Sequence, residues 1–367
     1  MTEKDFIPTH YSKRNIESVQ EGKQGKTVWK SPSNIALVKY WGKRENQLPA
    51  NPSISFTLDS CATVTSVTFT KLKNRSKTFA FDVLFEGESR PDFRPKIATF
   101  LNRIETYLPF LRWYNLRIET SNSFPHSSGI ASSASGMSAL ALCLIDMEND
   151  IAPMADEEFF IKKASFLARL GSGSACRSVE GDIVHWGYHE KTKGSSDLYG
   201  IKFPYAVDDI FKEYQDTILL VDKGKKEVSS TLGHNLMHGH PFAQRRFEQA
   251  HTNLDRLHKV FSSGDLDGFV DIVESEALTL HAMMMSSRPY FILMKPNTLE
   301  IINKIWAFRK ATQSKVCFTL DAGANVHVLY PKMEKQRVLE FIENDLVAHC
   351  EKGHYICDRI GYGAKKM

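Results

Sequence analysis

Residues 115–147 read NLRIETSNSFPHSSGIASSASGMSALALCLIDM. NLRIETSNSF has the character of a strand, and SGMSALALCLIDM that of a helix. Between them lies PHSSGIASSASG, Pro125–Gly136, in which small residues dominate. Small side chains let backbone N–H groups approach an anion, and the start of a helix adds a favourable dipole. No GK[ST] follows the glycines, so this is not a Walker A loop. A serine-rich surface turn is the lesser alternative for this segment alone. The strand, loop and helix nevertheless indicate an α/β unit with an anion-sized loop.

Upstream, VWKSPSNIALVKYWG carries a strand-like apolar run (Ile35, Leu37, Val38) that ends on aromatics and a glycine. SISFTLDSCATVTSVTFTKL is β-branched and alternating, which predicts paired strands. KTFAFDVLFEGE predicts a hairpin turning near Glu86 and Gly87, and RPKIATFLNRIETYL a helix with Ile97, Phe100, Leu101, Ile104 and Leu108 on one face. Downstream, DEEFFIKKASFLARL predicts a helix with acidic residues in its first turn. It ends at GSGSACRS, and DIVHWGY reads as the next strand. Polar sequence after it places a boundary near residue 205. Beyond come strand DTILLVD, long helices at about 238–262 and 266–285, helix TLEIINKIWAFRKAT, strands KVCFTLDAG and VHVLY, and helix MEKQRVLEFIEND. That alternation is α+β. The expected division is a polar arm 1–27, a first domain 28–205 and a second domain 206–367.

At 367 residues the chain exceeds one ordinary core. Its 42% apolar and 25% charged content fits a globular protein. A net charge of +4 permits an anionic substrate, and no basic stripe interleaved with aromatics points to nucleic acid. The N-terminus lacks the apolar core of a secretory signal, and apolar runs such as ALALCLIDM are too short to span a membrane. A cytoplasmic protein with reduced, mostly interior cysteines is expected, because the six cysteines form no CxxC pair. His349, Cys350, His354 and Cys357 cluster in HCEKGHYIC, but the spacing fits no common zinc template.

Three further constellations bear chemistry. GSGSACR, 171–177, offers hydroxyl and backbone donors at Ser172, Gly173 and Ser174, and Arg177 adds a planar cation suited to a carboxylate or phosphate. NIALVKYWGKR, 34–44, sets Lys39, Tyr40 and Lys43 at a strand end; a lysine with a buried stem and solvated head reads equally well there. FTLDAGANVHV, 318–328, ends a β-run on Asp321, which alone would be a turn residue.

NIALVKYWGKR, FPHSSGIASSASG, GSGSACRS and TLDAGANVH resemble, in this order, the motifs of the diphosphomevalonate decarboxylases of the GHMP kinase superfamily. VDKGKKEVSSTLGH, 221–234, is similar to a fifth segment. The likeness runs from about residue 28 to 330. It implies an α+β, two-lobed GHMP-kinase-like fold: an N-terminal α/β lobe of the ribosomal S5 domain 2-like kind and a C-terminal ferredoxin-like lobe. The active site would lie in the cleft between them. The implied reaction phosphorylates the tertiary 3-hydroxyl of mevalonate 5-diphosphate with ATP and Mg²⁺, then expels phosphate and carbon dioxide to leave isopentenyl diphosphate.

By the same resemblance, Ser127, Ser128, Gly129, Ile130, Ala131, Ser132, Ser133, Ala134 and Ser135 would hold the ATP phosphates. Asp321 would orient the hydroxyl or accept its proton, Lys39 would keep Asp321 ionised, and Arg177 would align the carboxylate. Tyr40, Lys43, Ser172, Gly173, Ser174, Ser229 and Ser230 would grip the diphosphate. No metal ligands and no adenine contacts are assigned. The oligomeric state is open between monomer and homodimer.

Departures from the family pattern are His126 in the loop, DAGAN where DAGPN is commoner, and His234 where methionine is usual. Alternatives are a kinase or decarboxylase acting on mevalonate or its monophosphate, and a non-enzymatic binding protein. The joint presence of Asp321, Lys39 and Arg177 favours decarboxylation; Tyr40 and Lys43 favour the diphosphate.

Overall fold

The computed structural model describes residues 1–8, 21–125, 130–152, 154, 156–223 and 230–367. Its strands are β1 (Gln24–Val38), β2 (Ser53–Lys71), β3 (Ala80–Phe85), β4 (Glu88–Ser89), β5 (Tyr114–Asn122) and β6 (Ile183–Trp186). They continue as β7 (Gly200–Lys202), β8 (Gln215–Leu219), β9 (Cys317–Leu320), β10 (Val326–Tyr330), β11 (Tyr355–Arg359) and β12 (Lys365–Lys366). The helices are α1 (Arg94–Ile104), α2 (Ser132–Ile151), α3 (Glu157–Gly171), α4 (Asp209–Lys212) and α5 (Ser230–Asn235). After them come α6 (Ala243–Ser263), α7 (Leu266–Met285), α8 (Pro296–Thr312) and α9 (Lys335–Phe341).

The larger sheet runs β12-β1-β2-β5-β3-β4, with β6 on β2 and β7 on β6. Among the described residues, only β3 and β5 pair in parallel, because α1 carries the chain across between them. Ile97, Phe100, Leu101 and Ile104 are the buried face of α1, as the spacing predicts, and Leu108 is buried just beyond its end. The α2 helix is buried nearly all round, held between the sheet and α3. Asp156 caps α3 by accepting from Glu158 N–H at 2.9 Å.

The smaller sheet has the antiparallel order β11-β8-β10-β9, the βαββαβ arrangement of a ferredoxin-like lobe. The predicted boundary near 205 falls in the coil between β7 and α4.

Two features differ from expectation. SISFTLDSCATVTSVTFTKL forms one long strand, β2, where paired strands were predicted. Its alternation is interrupted because Asn34 pairs with Thr57 while Pro32 pairs with Ala62, leaving residues 58–61 without partners on β1. The N–H groups of Asp59, Ser60 and Cys61 are satisfied instead by the carboxylate of Asp358 on β11, at 3.1, 2.9 and 2.7 Å.

The second difference is that the lobes share a core. Ile35, Leu37, Ile54 and Phe56 of the larger sheet pack in one cluster with Ile218, Leu254, Phe261 and Phe269. The C-terminal residues also return to the first lobe, where β12 pairs with Trp29 and Lys30. Near the other terminus, Phe6 is fully buried and stacks on Phe166 at 4.3 Å. Five cysteines are buried and Cys357 is exposed.

Candidate active site

A cavity of about 620 Å³ opens between the two sheets. Lys39 enters it directly after β1, and Asp321 directly after β9, so two strand ends from different lobes face each other. The Lys39 Nζ donates to Asp321 Oδ1 at 3.2 Å; Lys39 is 2% exposed and Asp321 30%. Burial pushes the Lys39 pKa down, while Asp321 first and Glu276 next oppose that shift.

The main chain of Lys39 is anchored on both sides. Its N–H donates to Glu276 Oε2 at 2.8 Å, and its carbonyl accepts from Arg246 Nη2 and Asn51 Nδ2, each at 3.0 Å. Glu276 and Arg246 form a fully buried pair at 2.5 Å, and Asn253 donates to Glu276 at 2.7 Å. On the far side, His281 Nε2–H donates to the Asp321 carbonyl at 3.1 Å. Burial holds His281 down to about 4, so the ring is neutral near pH 7.

Arg177 is 3% exposed and reaches the same wall. Its Nε donates to Asn34 Oδ1 at 3.3 Å and its Nη1 to Ser53 Oγ at 2.5 Å, which leaves part of the guanidinium fork for a ligand. Asn34 also donates to the Ser174 carbonyl at 3.2 Å and to Ser178 Oγ at 2.7 Å, tying the GSGSACR segment to β1. Burial lowers the Arg177 pKa, but an arginine stays cationic.

Tyr40 packs on Trp186 at 4.7 Å between ring centres and on His234 at 4.1 Å. Burial raises its pKa, keeping the phenol a proton donor. A Cβ on Gly173 would lie 2.9 Å from the Tyr40 hydroxyl, so the approach of these two segments requires glycine.

The start of α2 lines the same cavity. Ala131 takes φ +45° and ψ +35° ahead of α2, and Ser33 Oγ donates to the Ile130 carbonyl at 2.5 Å. Ser133 Oγ donates to Ser172 Oγ at 3.4 Å, and Lys96 Nζ donates to Ser133 Oγ at 2.5 Å. Beyond Ser133 the cavity continues as a slot lined by Phe93, Ile97, Ile118, Met137 and Leu140.

Lys39, Tyr40, Arg177, Asp321, Ala131–Ala134 and Ser172–Ser174 therefore line one cavity. Ile130 and Ser135 lie behind it, the latter bonded to Thr63 Oγ1 at 2.7 Å. Lys43 sits half-buried behind the wall, bridged to Pro49, and is not a lining residue. Burial and Arg103 lower its pKa. His126, Ser127, Ser128, Gly129 and Ser229 lie outside the described residues, as does the side chain of Ser230. Sequence reasoning missed Asn34 and Ser53 as supports of Arg177, and Glu276 with Arg246 as supports of Lys39. Asn34 stood inside a quoted motif; the other three carry no local signal because they act from distant segments.

A βαββαβ lobe set against the larger sheet, with Lys39, Arg177, Asp321 and the start of α2 lining the cavity they share, defines a two-lobed GHMP-kinase-like enzyme. Comparison with known proteins makes the assignment particular. Residues 31–197 match the model of the diphosphomevalonate decarboxylase-like N-terminal domain, and residues 217–360 that of the mevalonate 5-diphosphate decarboxylase C-terminal domain. The chain belongs to the diphosphomevalonate decarboxylase family.

A diphosphomevalonate decarboxylase of Ganoderma lucidum is 28% identical over 334 residues, covering 85% of this chain and 80% of the relative. The solved structure of MDDEF in complex with MVAPP, AMPPCP and magnesium is 28% identical with a TM-score of 0.79, covering 94% of this chain and 99% of that one. A structure of the mevalonate diphosphate decarboxylase from Enterococcus faecalis has a TM-score of 0.78 at 27% identity, covering 94% and 99%. Among the described residues, no helix is long and apolar enough to cross a membrane.

Proposed function

We propose that the cavity between the two sheets carries out ATP-dependent decarboxylation of mevalonate 5-diphosphate to isopentenyl diphosphate, releasing ADP, phosphate and carbon dioxide. The observation that carries this reading is the Lys39–Asp321 pair, 3.2 Å apart, on the same cavity wall as Arg177 and the start of α2. A tertiary hydroxide is a poor leaving group, and phosphorylation makes it a good one. That transfer requires alignment and charge neutralisation more than covalent help.

Asp321 orients the 3-hydroxyl, whose oxygen attacks the γ-phosphorus as ADP leaves; the hydroxyl proton passes to Asp321 or to water. Lys39 holds Asp321 ionised and in place. The C3–O bond then breaks with its electron pair going to phosphate, and the electrons of the C1–C2 bond form the new double bond as carbon dioxide departs. Arg177 keeps the carboxylate in the plane that this fragmentation requires, without holding it so tightly that loss of its charge is opposed. Tyr40, Ser172, Gly173 and Ser174 grip the diphosphate, and Ser229 and Ser230 are proposed as further contacts; Lys43, which does not line the cavity, adds its charge from a distance. The loop 127–135 takes the ATP phosphates, and the apolar slot by Ile97 and Met137 takes the base.

Mg²⁺ prefers oxygen ligands and keeps several waters, which fits the hydroxyls of Ser132 and Ser133 beside the nucleotide phosphates. When bound it neutralises phosphate charge. We assign residues 28–205 to the nucleotide-binding lobe and 206–367 to the lobe that supplies Asp321. Five buried free cysteines support a cytoplasmic location. Monomer or homodimer is decided by light scattering.

The test is purified protein with ATP, Mg²⁺ and each mevalonate species, scored for ADP and carbon dioxide together. One of each per turnover is expected with the diphosphate, and Asp321→Asn should lose at least ~1,000-fold, on the order of 4 kcal/mol of barrier. A stable 3-phosphorylated product from the unaltered protein would make it a kinase instead.

A further inference from the structure

None of the roles assigned above uses His234. It lies on α5, 7% exposed, with its ring 4.1 Å from that of Tyr40 and 4.8 Å from that of Trp41. The Gly42 N–H donates to its Nδ1 at 3.0 Å. Gly42 takes φ +91°, so its N–H direction is fixed by a backbone conformation that few other residues adopt. An imidazole whose Nδ1 accepts a hydrogen bond carries its proton on Nε2. Burial, with Lys43 and Arg177 nearby, holds His234 down to about 3, which keeps it in that neutral state across the physiological range.

The Nε2–H has no bonded partner among the described residues, yet it is not one of the fully enclosed unsatisfied atoms. His234 lines the cavity. The free donor therefore opens into the cavity beside Tyr40. A donor held in this fixed geometry is placed to bond an acceptor on a ligand that fills the cavity.

We propose that His234 is a neutral hydrogen-bond donor to the diphosphate of the substrate, and a determinant of the preference for a diphosphate over a monophosphate. The proposal rests on the reading that the diphosphate lies along Tyr40, Ser172 and Ser174. A third cation beside Lys43 and Arg177 would repel them before substrate arrives; a neutral N–H adds a contact without that penalty. A methionine thioether at this position would have no donor.

The experiment compares KM and kcat for mevalonate 5-diphosphate and for the 5-monophosphate in His234→Asn, His234→Gln and His234→Met, each with a melting curve. The asparagine carbonyl stands in for Nδ1 and keeps an acceptor for Gly42, but removes the donor. The glutamine amide nitrogen stands in for Nε2 and keeps the donor. His234→Asn and His234→Met should raise KM for the diphosphate roughly tenfold or more, the worth of one hydrogen bond to a charged group, with kcat within about threefold. They should also narrow its advantage over the monophosphate, while His234→Gln stays within about threefold of the parent. If His234→Asn keeps KM and His234→Gln raises it, the ring serves only to hold the turn at Gly42, and the proposal is overturned.

Unchanged KM in all three variants overturns it as well. Should both Asn and Gln variants weaken binding, the unaltered protein decides: its His234 Nε2 nitrogen resonance must move when the diphosphate is added without ATP. A stationary resonance sinks the idea. Tyr40→Phe and Ser174→Ala separate this from the underlying reading. If those two also leave KM unmoved, the placement of the diphosphate is at fault; if they raise it while the His234 variants do not, only His234 is.

Discussion

Arg177 draws its orientation from Asn34 and Ser53, so its guanidinium plane is set by two side chains of the large sheet. Lysine at 177 would keep the charge but lose the fork that bonds two oxygens at once. If Arg177 aligns the carboxylate for fragmentation, Arg177→Lys should slow turnover at saturating substrate roughly tenfold or more, for one lost charge-assisted hydrogen bond of about 1.5–3 kcal/mol. A purely structural arginine would show the reverse pattern: a lower melting temperature and unchanged turnover of the folded enzyme. Measuring both on the same preparations separates the two. At this scale the sequence was informative because the reactive groups stand in short contiguous motifs, and Lys39, Arg177 and Asp321 do share one cavity. What holds them was hidden. Asn34 and Ser53 look like ordinary strand polar residues until the fold brings residue 177 over them, a separation of more than a hundred positions.

The end of β1 is the element on which the site depends. Lys39 is the first residue past the strand, where a free strand end would fray, yet its N–H and carbonyl are both bonded by residues of α6 and α7. The Glu276–Arg246 pair that makes these bonds is fully enclosed. Removing one partner leaves a buried charge uncompensated, so Glu276→Ala should cost about 3–5 kcal/mol of stability in a denaturant titration. The paired replacement Glu276→Leu with Arg246→Met should recover most of that loss, because two buried charges vanish together. It still leaves the Lys39 N–H without an acceptor, and turnover should remain at least tenfold low. Full recovery of turnover with stability would show that the pair acts on folding alone. Elements with a strong period, such as α1, were readable residue by residue. The β2 strand was not, because its pairing with β1 breaks at residues 58–61, where Asp358 satisfies the backbone, and a carboxylate about three hundred positions away leaves no mark on local alternation.

In the whole molecule, the two lobes are held by a shared core and by a returning tail, and several histidines are buried within that joint. His185 on β6 bonds the Gly187 carbonyl through Nε2 at 2.7 Å, its Nδ1 has no partner among the described residues, and burial holds its pKa down to about 3. His234 is likewise held to about 3 and His281 to about 4, both chiefly by burial. In the unfolded chain each takes up a proton near pH 6.5. Between that pH and the depressed folded value the unfolded state binds more protons, so stability falls as the pH falls. At pH 5 each of these enclosed rings favours unfolding by about 2 kcal/mol. A second group, His189, His251 and His258 around Asp255, joins β6 and its following loop to α6 and shifts in the same direction. The melting temperature should therefore decline steadily from pH 6.5 to 4.5. Carboxylates cannot mimic the onset: ordinary Asp and Glu titrate near pH 4, and Asp216 and Glu180, whose pKa values burial raises, favour the folded state as the pH falls. His185→Gln should flatten the slope in that interval by the share of one histidine. A melting temperature constant from pH 7 to 5.5 would mean that these rings are charged in the folded protein, against the burial and the accepting Nδ1 of His234 seen here.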